Sequence, residues 1–198
     1  MSRPAPIEVP PIDVTDEECD RALARYLRAW EQVEASQFLL FKKLLDTPIQ
    51  VALIVHETTS NFRDIRDMME ALGRLRLDKQ QSKELNAVLA SLKSATTKRN
   101  RIIHGKWQLE IRLPPKGRPA KEGKATWVRF YTPSDPALFT KVFGTPYEQK
   151  TRNEHRFTLK DLDRFSEEAK YLSARIRRLT DDLVLLPVTD PTPLKFGE

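Results

Sequence analysis

The run Lys98-Arg99-Asn100-Arg101-Ile102-Ile103-His104-Gly105 combines side chains that could handle a phosphodiester. Arg99 carries a permanent positive charge and a planar fork of donors that suits phosphate oxygens. An imidazole such as that of His104 exchanges protons near neutral pH. Asn100 lies four residues before His104, so the two share one edge of a helix. The run therefore predicts a site that holds and cleaves a phosphate ester.

Cleavage of RNA would be chemically reasonable for these groups, because its own 2′-hydroxyl can attack the adjacent phosphorus once a base removes the proton. Negative charge then develops on the phosphorane, where a guanidinium stabilises it. Arg99 and His104 are five residues apart, which is roughly 140° around an ideal helix. Since one protomer does not readily aim both groups at one phosphate, the spacing favours a dimer in which the partner's Arg99 completes the site.

The elements that must position these residues are mainly helical, because apolar residues recur at helical spacing. The first predicted helix begins at Thr15, which forms a capping-box pattern with Glu18, and ends near Asp46. The second begins at Pro48 and continues as one helix to Gly73, which weakens its last turn.

The third predicted helix carries the motif and runs from Asp78 or Ser82 to His104. Gly105 follows in the position where glycine often ends a helix. Arg99 projects from the middle of the apolar stripe of this helix. The stripe contains Leu85, Val88, Leu89, Leu92, Ala95, Thr96, Ile102 and Ile103. The last helix begins after Thr158, its predicted cap.

Between the third and fourth helices the pattern changes to alternation. Segments 107–113 and 126–132 predict a hairpin, and 152–157 predicts a short third strand. The predicted fold is therefore mainly α: an antiparallel helical bundle of about four long helices with a small β-hairpin or β-sheet insertion. It comprises an extended Pro-rich tail, one helical domain with a β-rich basic insertion, and a C-terminal tail. Their bounds are 1–14, 15–186 (insertion 105–157) and 187–198.

Positive charge is concentrated in one part of the 198-residue chain. Segment 93–129 holds eleven Lys or Arg against Glu110 and Glu122, which gives +9 there and −3 elsewhere. Such asymmetry favours a polyanion partner, here RNA, and the alternative is a solvated basic loop. The residues predicted to contact RNA are Lys98, Arg101, Lys106, Lys116, Arg118, Lys121 and Lys124.

Composition excludes several other classes of protein. Hydrophobic residues make up 39% of the chain, as in globular proteins. No apolar run approaches the roughly 18 residues of a membrane span, so no membrane partner is expected. Cys19 is the only cysteine and the three histidines lack clustered carboxylates, so neither a disulfide nor a metal site is predicted. We expect a cytoplasmic protein that uses no metal and no cofactor.

Arg99-Asn100-x-x-x-His104 resembles the R-x4-H signature of the HEPN superfamily, the higher eukaryote and prokaryote nucleotide-binding domain. In many members Asn, Asp or His follows the Arg, and the motif lies late on a helix of a helical bundle. The pair Trp30-Glu31 on the first helix is compatible with this family. The resemblance spans about Thr15 to Leu183, although the β insertion is not part of the family core.

The resemblance implies a metal-independent endoribonuclease that works as a homodimer. His104 would be the general acid or base, and Arg99 would stabilise charge on the scissile phosphate. Asn100 would orient His104 or bind a phosphate oxygen. Lys106 stands where an R-x4-H-x-Y subgroup has Tyr, which argues against activities specific to that subgroup, such as nucleotide modification. Toxin–antitoxin or defence settings, which the family also implies, would add a protein inhibitor to the partners.

Two other functions are compatible with the sequence. The first is a non-catalytic RNA-binding module that grips the backbone with the hairpin and its basic loop, and the second is a helical protein-interaction module. Locally, Arg99 could extend past the core to solvent while His104 caps the helix end. His56 is interpreted as a packed or surface residue, and Trp107 as a core residue rather than a base-stacking one.

Overall fold

A computed structural model describes residues 15–59, 61–112, 124–130 and 156–187. Within these ranges the chain is mainly helical and carries a small three-stranded sheet, as the sequence predicts. The helices are α1 (Asp16–Leu45), α2 (Ile49–Thr58), α3 (Phe62–Arg76), α4 (Lys79–Ile103) and α5 (Leu159–Asp182). The strands are β1 (Lys106–Arg112), β2 (Lys124–Phe130) and β3 (Arg156–Phe157).

The first and last helices begin with reciprocal capping bonds. At α1, Glu18 N donates to Thr15 Oγ1 at 3.2 Å, and Thr15 N donates to Glu18 Oε2 at 2.8 Å. At α5, Asp161 N donates to Thr158 Oγ1 at 3.2 Å, and Thr158 N donates to Asp161 Oδ2 at 3.0 Å. Such bonds satisfy main-chain donors that the start of a helix leaves unpaired. Both predicted helix starts are confirmed.

The prediction of one helix from Pro48 to Gly73 is wrong, because the chain forms α2 and α3 with a break between them. The hydroxyl of Thr59 donates to the Val55 carbonyl at 2.7 Å, and the Thr59 backbone is extended. Asn61 is also extended, and its Oδ1 accepts a bond from Asp64 N at 2.9 Å, which makes Asn61 the cap of α3. Side-chain bonds to the nearby main chain therefore stabilise the end of α2 and the start of α3.

Gly73 begins the last turn of α3, which ends at Arg76, so its predicted place in a last turn is confirmed. A Cβ atom at Gly73 would stand 2.3 Å from Leu85 Cδ2 of α4. The same glycine carbonyl accepts a bond from Ser82 Oγ at 3.3 Å. The absence of a side chain at this position therefore lets α3 and α4 approach closely.

In chain order, the predicted sheet comes after α4 and before α5. Strands β1 and β2 pair antiparallel, with Trp107 opposite Arg129, and β3 pairs antiparallel with β2. Both hairpin strands begin one or two residues earlier than predicted, and the described part of the third strand is Arg156–Phe157. Segments 1–14, 113–123, 131–155 and 188–198 lie outside the described residues.

The described residues divide between two compact units. Unit 1 has the bounds Met1–Ala29 and Thr97–Glu167, and unit 2 has the bounds Trp30–Thr96 and Glu168–Glu198. Helices α1, α4 and α5 contribute residues to each unit. The end of α4 that carries the motif belongs to unit 1.

Each unit has its own buried residues. The core of unit 1 joins α1, α4, β3 and α5, and it consists of Ala22, Tyr26, Ile102, Phe157, Leu162 and Phe165. The largest fully buried side chains of unit 2 are those of Phe41, Leu40, Leu44, Met69, Leu85, Leu92 and Ile176. The predicted apolar stripe of the motif helix is buried at Leu85, Val88, Leu89, Leu92 and Ile102. No helix in the described ranges combines the length and the apolar character that crossing a membrane requires.

Candidate functional site

The three motif residues lie where α4 ends. Helix α4 stops at Ile103, and His104 occupies the turn that follows. His104 N donates to the Asn100 carbonyl at 3.0 Å, so the main chain completes one more helical turn at this point. The side chains of Asn100 and His104 are exposed. The imidazole therefore stands on the surface of unit 1, at a fixed main-chain position.

Arg99 and Asn100 are in direct contact. Arg99 Nη1 donates to Asn100 Oδ1 at 3.1 Å, and Arg99 is half-buried with its Nε shielded from solvent. Because the amide oxygen of Asn100 already accepts this bond, its Nδ2 group is left to face a ligand as a donor. The pair thus places a guanidinium next to an amide at the end of the motif helix, and both are groups from which phosphate oxygens accept hydrogen bonds.

A fourth residue, Arg129 of β2, holds this end of the helix. Arg129 Nε donates to the Ile102 carbonyl, and Nη2 donates to the Ile103 carbonyl at 3.0 Å. These are carbonyls that the end of a helix leaves without intrahelical partners. The guanidinium also lies over the ring of Trp107, with Cζ 5.5 Å from the ring centroid. Arg129 therefore caps the helix directly before His104.

Burial determines the electrostatics of Arg129. Removal from water lowers the pKa of Arg129, and the negative charge of Asp20 opposes that shift. A buried cation is retained where it is hydrogen-bonded, and here two carbonyls at the negative end of the helix dipole provide the bonds. Sequence reasoning missed this residue because it follows the motif by about a strand and a loop. The hairpin register is the signal that could have found it, since it places Arg129 opposite Trp107.

The residues predicted to bind RNA occupy different surroundings. The Nζ atom of Lys98 lies 4.1 Å from the centroid of the Phe165 ring, so its charge packs on an aromatic of the unit 1 core. Arg101 is half-buried, and Lys106 is exposed at the start of β1. Lys124 is the first residue of β2. The remaining three, Lys116, Arg118 and Lys121, lie outside the described residues.

Trp107 and His56 have packing roles. Trp107 packs half-buried against the core of unit 1, which confirms the prediction of a core role. His56 belongs to unit 2, where its ring meets the Phe38 ring edge-on at 5.3 Å, as expected for a packed histidine. His155 lies outside the described residues. Of the histidines that the structure describes, His104 is therefore the one that follows the Arg99–Asn100 pair in the chain.

Unit 2 contains a buried hydroxyl pair that the sequence analysis did not single out. The Oγ atoms of Ser36 and Ser173 are 2.8 Å apart, Ser36 Oγ donates to the Gln32 carbonyl at 2.7 Å, and Arg177 Nε donates to Ser36 Oγ at 3.0 Å. A surface groove of about 570 Å³ next to this pair is lined by Gln32, Ser173, Arg177 and neighbouring residues of α5. These hydroxyls already bond to protein groups, so their arrangement is that of packed interior polar residues.

Within the described ranges, no three His, Cys, Asp or Glu side chains are grouped so that they could hold a metal ion. Comparison of the chain with protein-family models, with curated proteins and with solved structures gives no match. The motif residues and their surroundings are therefore the basis for assigning a function.

Proposed function

We propose that this chain is a metal-independent endoribonuclease of the HEPN type. The observation that carries the proposal is the bond from Arg99 Nη1 to Asn100 Oδ1, one helical turn before the exposed His104. It supports a site in which cationic and amide donors hold a phosphate while an imidazole transfers a proton. The site lies in a segment whose net charge of +9 favours a polyanion.

In the proposed reaction His104 removes the proton from a ribose 2′-hydroxyl. The 2′-oxygen then forms a bond to the adjacent phosphorus, and the bond from that phosphorus to the 5′-oxygen of the next nucleotide breaks. The leaving oxygen takes a proton from a second imidazole, the partner's His104. Arg99 stabilises the added negative charge on the phosphorane, and Asn100 donates to one of its oxygens. The products are a 2′,3′-cyclic phosphate and a 5′-hydroxyl.

We further propose that two copies of the chain assemble the site. The helices form an antiparallel bundle, and two copies bring their motifs together in one cleft. Arg99 lies on α4 and His104 on the turn that follows, and five residues of ideal helix would set them roughly 140° apart, which supports a composite site. RNA is the substrate, the setting is cytoplasmic, and a protein inhibitor would restrain the activity in a toxin or defence context.

The test compares the full chain with His104→Ala and Arg99→Ala on end-labelled RNA in EDTA. We expect cleavage by the unchanged chain and a loss of at least about a hundredfold for His104→Ala, because one proton-transfer group contributes about 10²–10⁴. The chemistry of the ends is the sharper measurement. A cyclic phosphate on one fragment supports the mechanism, and an RNA with a single 2′-deoxy substitution should resist cleavage at that linkage.

Asn100→Ala has a matched control on the same helix. Asn86 is also exposed on α4, so Asn86→Ala removes an equivalent amide away from the motif and should keep full activity. Equal cleavage by the unchanged chain and His104→Ala, or products with 5′-phosphates, would contradict the proposal.

The second candidate is a non-catalytic RNA-binding module, which the exposed position of Lys106 beside the motif favours. It predicts salt-sensitive RNA binding that survives His104→Ala. Binding without cleavage by the unchanged chain, weakened by Lys106→Ala, would select this function over the nuclease.

A further inference from the structure

Helix α2 is strongly apolar yet largely exposed. Of its ten residues only Ala52 is buried, while Ile49, Val51, Leu53 and Ile54 remain between 46% and 64% exposed. A helix that is apolar on most sides is expected to be covered. Contact of these side chains with water is unfavourable, so the surface of α2 is suited to a partner.

The outward face of α2 has a two-fold symmetric pattern. The midpoint of the helix falls between Leu53 and Ile54, and Gln50 and Glu57 lie at equal distances on either side of it. At about 100° per residue, Gln50 and Glu57 point within about 10° of one direction, and Leu53 and Ile54 within about 50° of it. Ala52, the buried residue, lies on the opposite side.

We propose that α2 packs antiparallel against α2 of a second copy of this chain, about a two-fold axis at Leu53–Ile54. In that arrangement Leu53 meets the partner's Ile54, and Gln50 donates to the partner's Glu57; each contact occurs twice. This is an isologous interface, in which one surface is complementary to itself. The inference goes beyond the proposed function, because α2 belongs to unit 2 and the contact uses none of the motif residues.

Charge adds a second complementarity. The first turn of α2 contains no acidic residue, and its cap, Pro48, makes no side-chain bond. Neither the first turn of α2 nor Pro48 therefore provides a side chain that offsets the positive end of the helix dipole. In the antiparallel pair the partner's Glu57 lies near this end, and its carboxylate supplies the missing charge.

A second copy suits this face better than other partners. Helix α2 contains no Lys or Arg, so it lacks the basic face by which helices bind anionic lipid or nucleic acid. Exposed patches of its kind cover on the order of 300–600 Å². That is less than the roughly 800 Å² per partner of a standard interface. We therefore expect a reversible dimer whose population depends on concentration in the micromolar range.

Sedimentation equilibrium of the full chain from about 1 to 200 µM tests the proposal. The unchanged chain should show reversible self-association. Because the motif cleft of the proposed function is a separate contact, the part assigned to α2 is the part that the α2 variants change. Gln50→Glu places like charges opposite each other twice and should weaken dimerisation by about threefold to tenfold, whereas Gln50→Lys should strengthen it by a similar factor. An acidic residue at the start of α2 also favours the helix itself, so loss of the dimer in Gln50→Glu would not reflect unfolding.

Leu53→Gln removes apolar contact at the axis and should weaken dimerisation by at least about tenfold. The matched control is Leu75→Gln on α3, another exposed leucine of unit 2, which should leave the dissociation constant unchanged. His104→Ala should also leave it unchanged, so failure of the nuclease proposal would not be mistaken for failure of this one. A monomer throughout the range overturns the inference, as does a shift in the same direction for both Gln50 variants.

Discussion

Arg129 of β2 donates through Nη2 to the main-chain oxygen of Ile103 at 3.0 Å, and Ile103 is the last residue of the helix that carries the motif. The strand thereby fixes the point at which α4 stops. His104 follows immediately, so the position of its main chain depends on a residue that comes later in the chain. The β insertion is thus part of the structure that supports the candidate site.

Arg129→Met is expected to lower the free energy of unfolding by about 1–3 kcal/mol, because it leaves two shielded carbonyls without their donor. The apolar stem of Met can still pack on Trp107, so the loss reports mainly the hydrogen bonds. Urea unfolding followed by circular dichroism measures the change. Arg129→Lys keeps the charge and should recover part of the stability.

Arg76→Met is the matched control for the candidate site. Arg76 Nη1 caps α1 in unit 2 by donating to the Leu45 carbonyl at 3.2 Å, while Nη2 pairs with Asp46. If Arg129 positions His104, only Arg129→Met should lower RNA cleavage by more than its effect on the folded fraction. Equal cleavage by the two variants at equal folded fraction would contradict a positioning role for Arg129.

Gly73→Ala should destabilise the chain by about 1–3 kcal/mol, because the new methyl group collides with Leu85 Cδ2, in a well-packed core. Better helix propensity of Ala offsets about 1 kcal/mol of this cost. Leu85→Val removes the colliding atom. The double variant should therefore be less destabilised than the sum of the two single variants, as measured in a double-mutant cycle by urea unfolding. Strict additivity would show that α3 and α4 do not approach closely here.

The stability of the chain should fall between about pH 9 and pH 11 through Cys19. Burial, with smaller contributions from Asp16, Asp20 and Glu18, raises the pKa of the Cys19 thiol from 9.0 to about 11. The folded chain then holds a proton that the unfolded chain has lost, so this stabilising contribution is complete below about pH 9 and disappears as the pH rises. Cys19→Ala should show a flatter decline in the free energy of unfolding. Parallel pH profiles would contradict the prediction.

Thr158→Ala should cost about 1 kcal/mol of stability, because it removes the hydroxyl that caps α5. Thr158→Ser retains that hydroxyl and serves as the control. The measurement is the midpoint of thermal unfolding of the two variants under the same conditions. Identical midpoints for Thr158→Ala and Thr158→Ser would show that the capping bond does not contribute.

The break between α2 and α3 is a feature that the sequence pattern did not predict. The apolar spacing from Val51 to Leu72 is compatible with one helix, and no proline interrupts it. The hydroxyl of Thr59 and the side chain of Asn61 bond to the main chain and end that helix. Thr and Asn occur both inside helices and at helix ends. The periodic pattern alone therefore could not distinguish one continuous helix from two helices with a break.

Local sequence patterns were sufficient to predict the helix starts at Thr15 and Thr158, the buried stripe of α4, and the hairpin. Each depends on residues within about one helical turn or on strand alternation, so a local pattern is sufficient. Two contacts required long-range packing: Arg129 caps the motif helix, and Leu85 packs in the space that Gly73 leaves without a side chain. Those partners are distant in the chain, and their contact energies exist only once packing has brought the elements together.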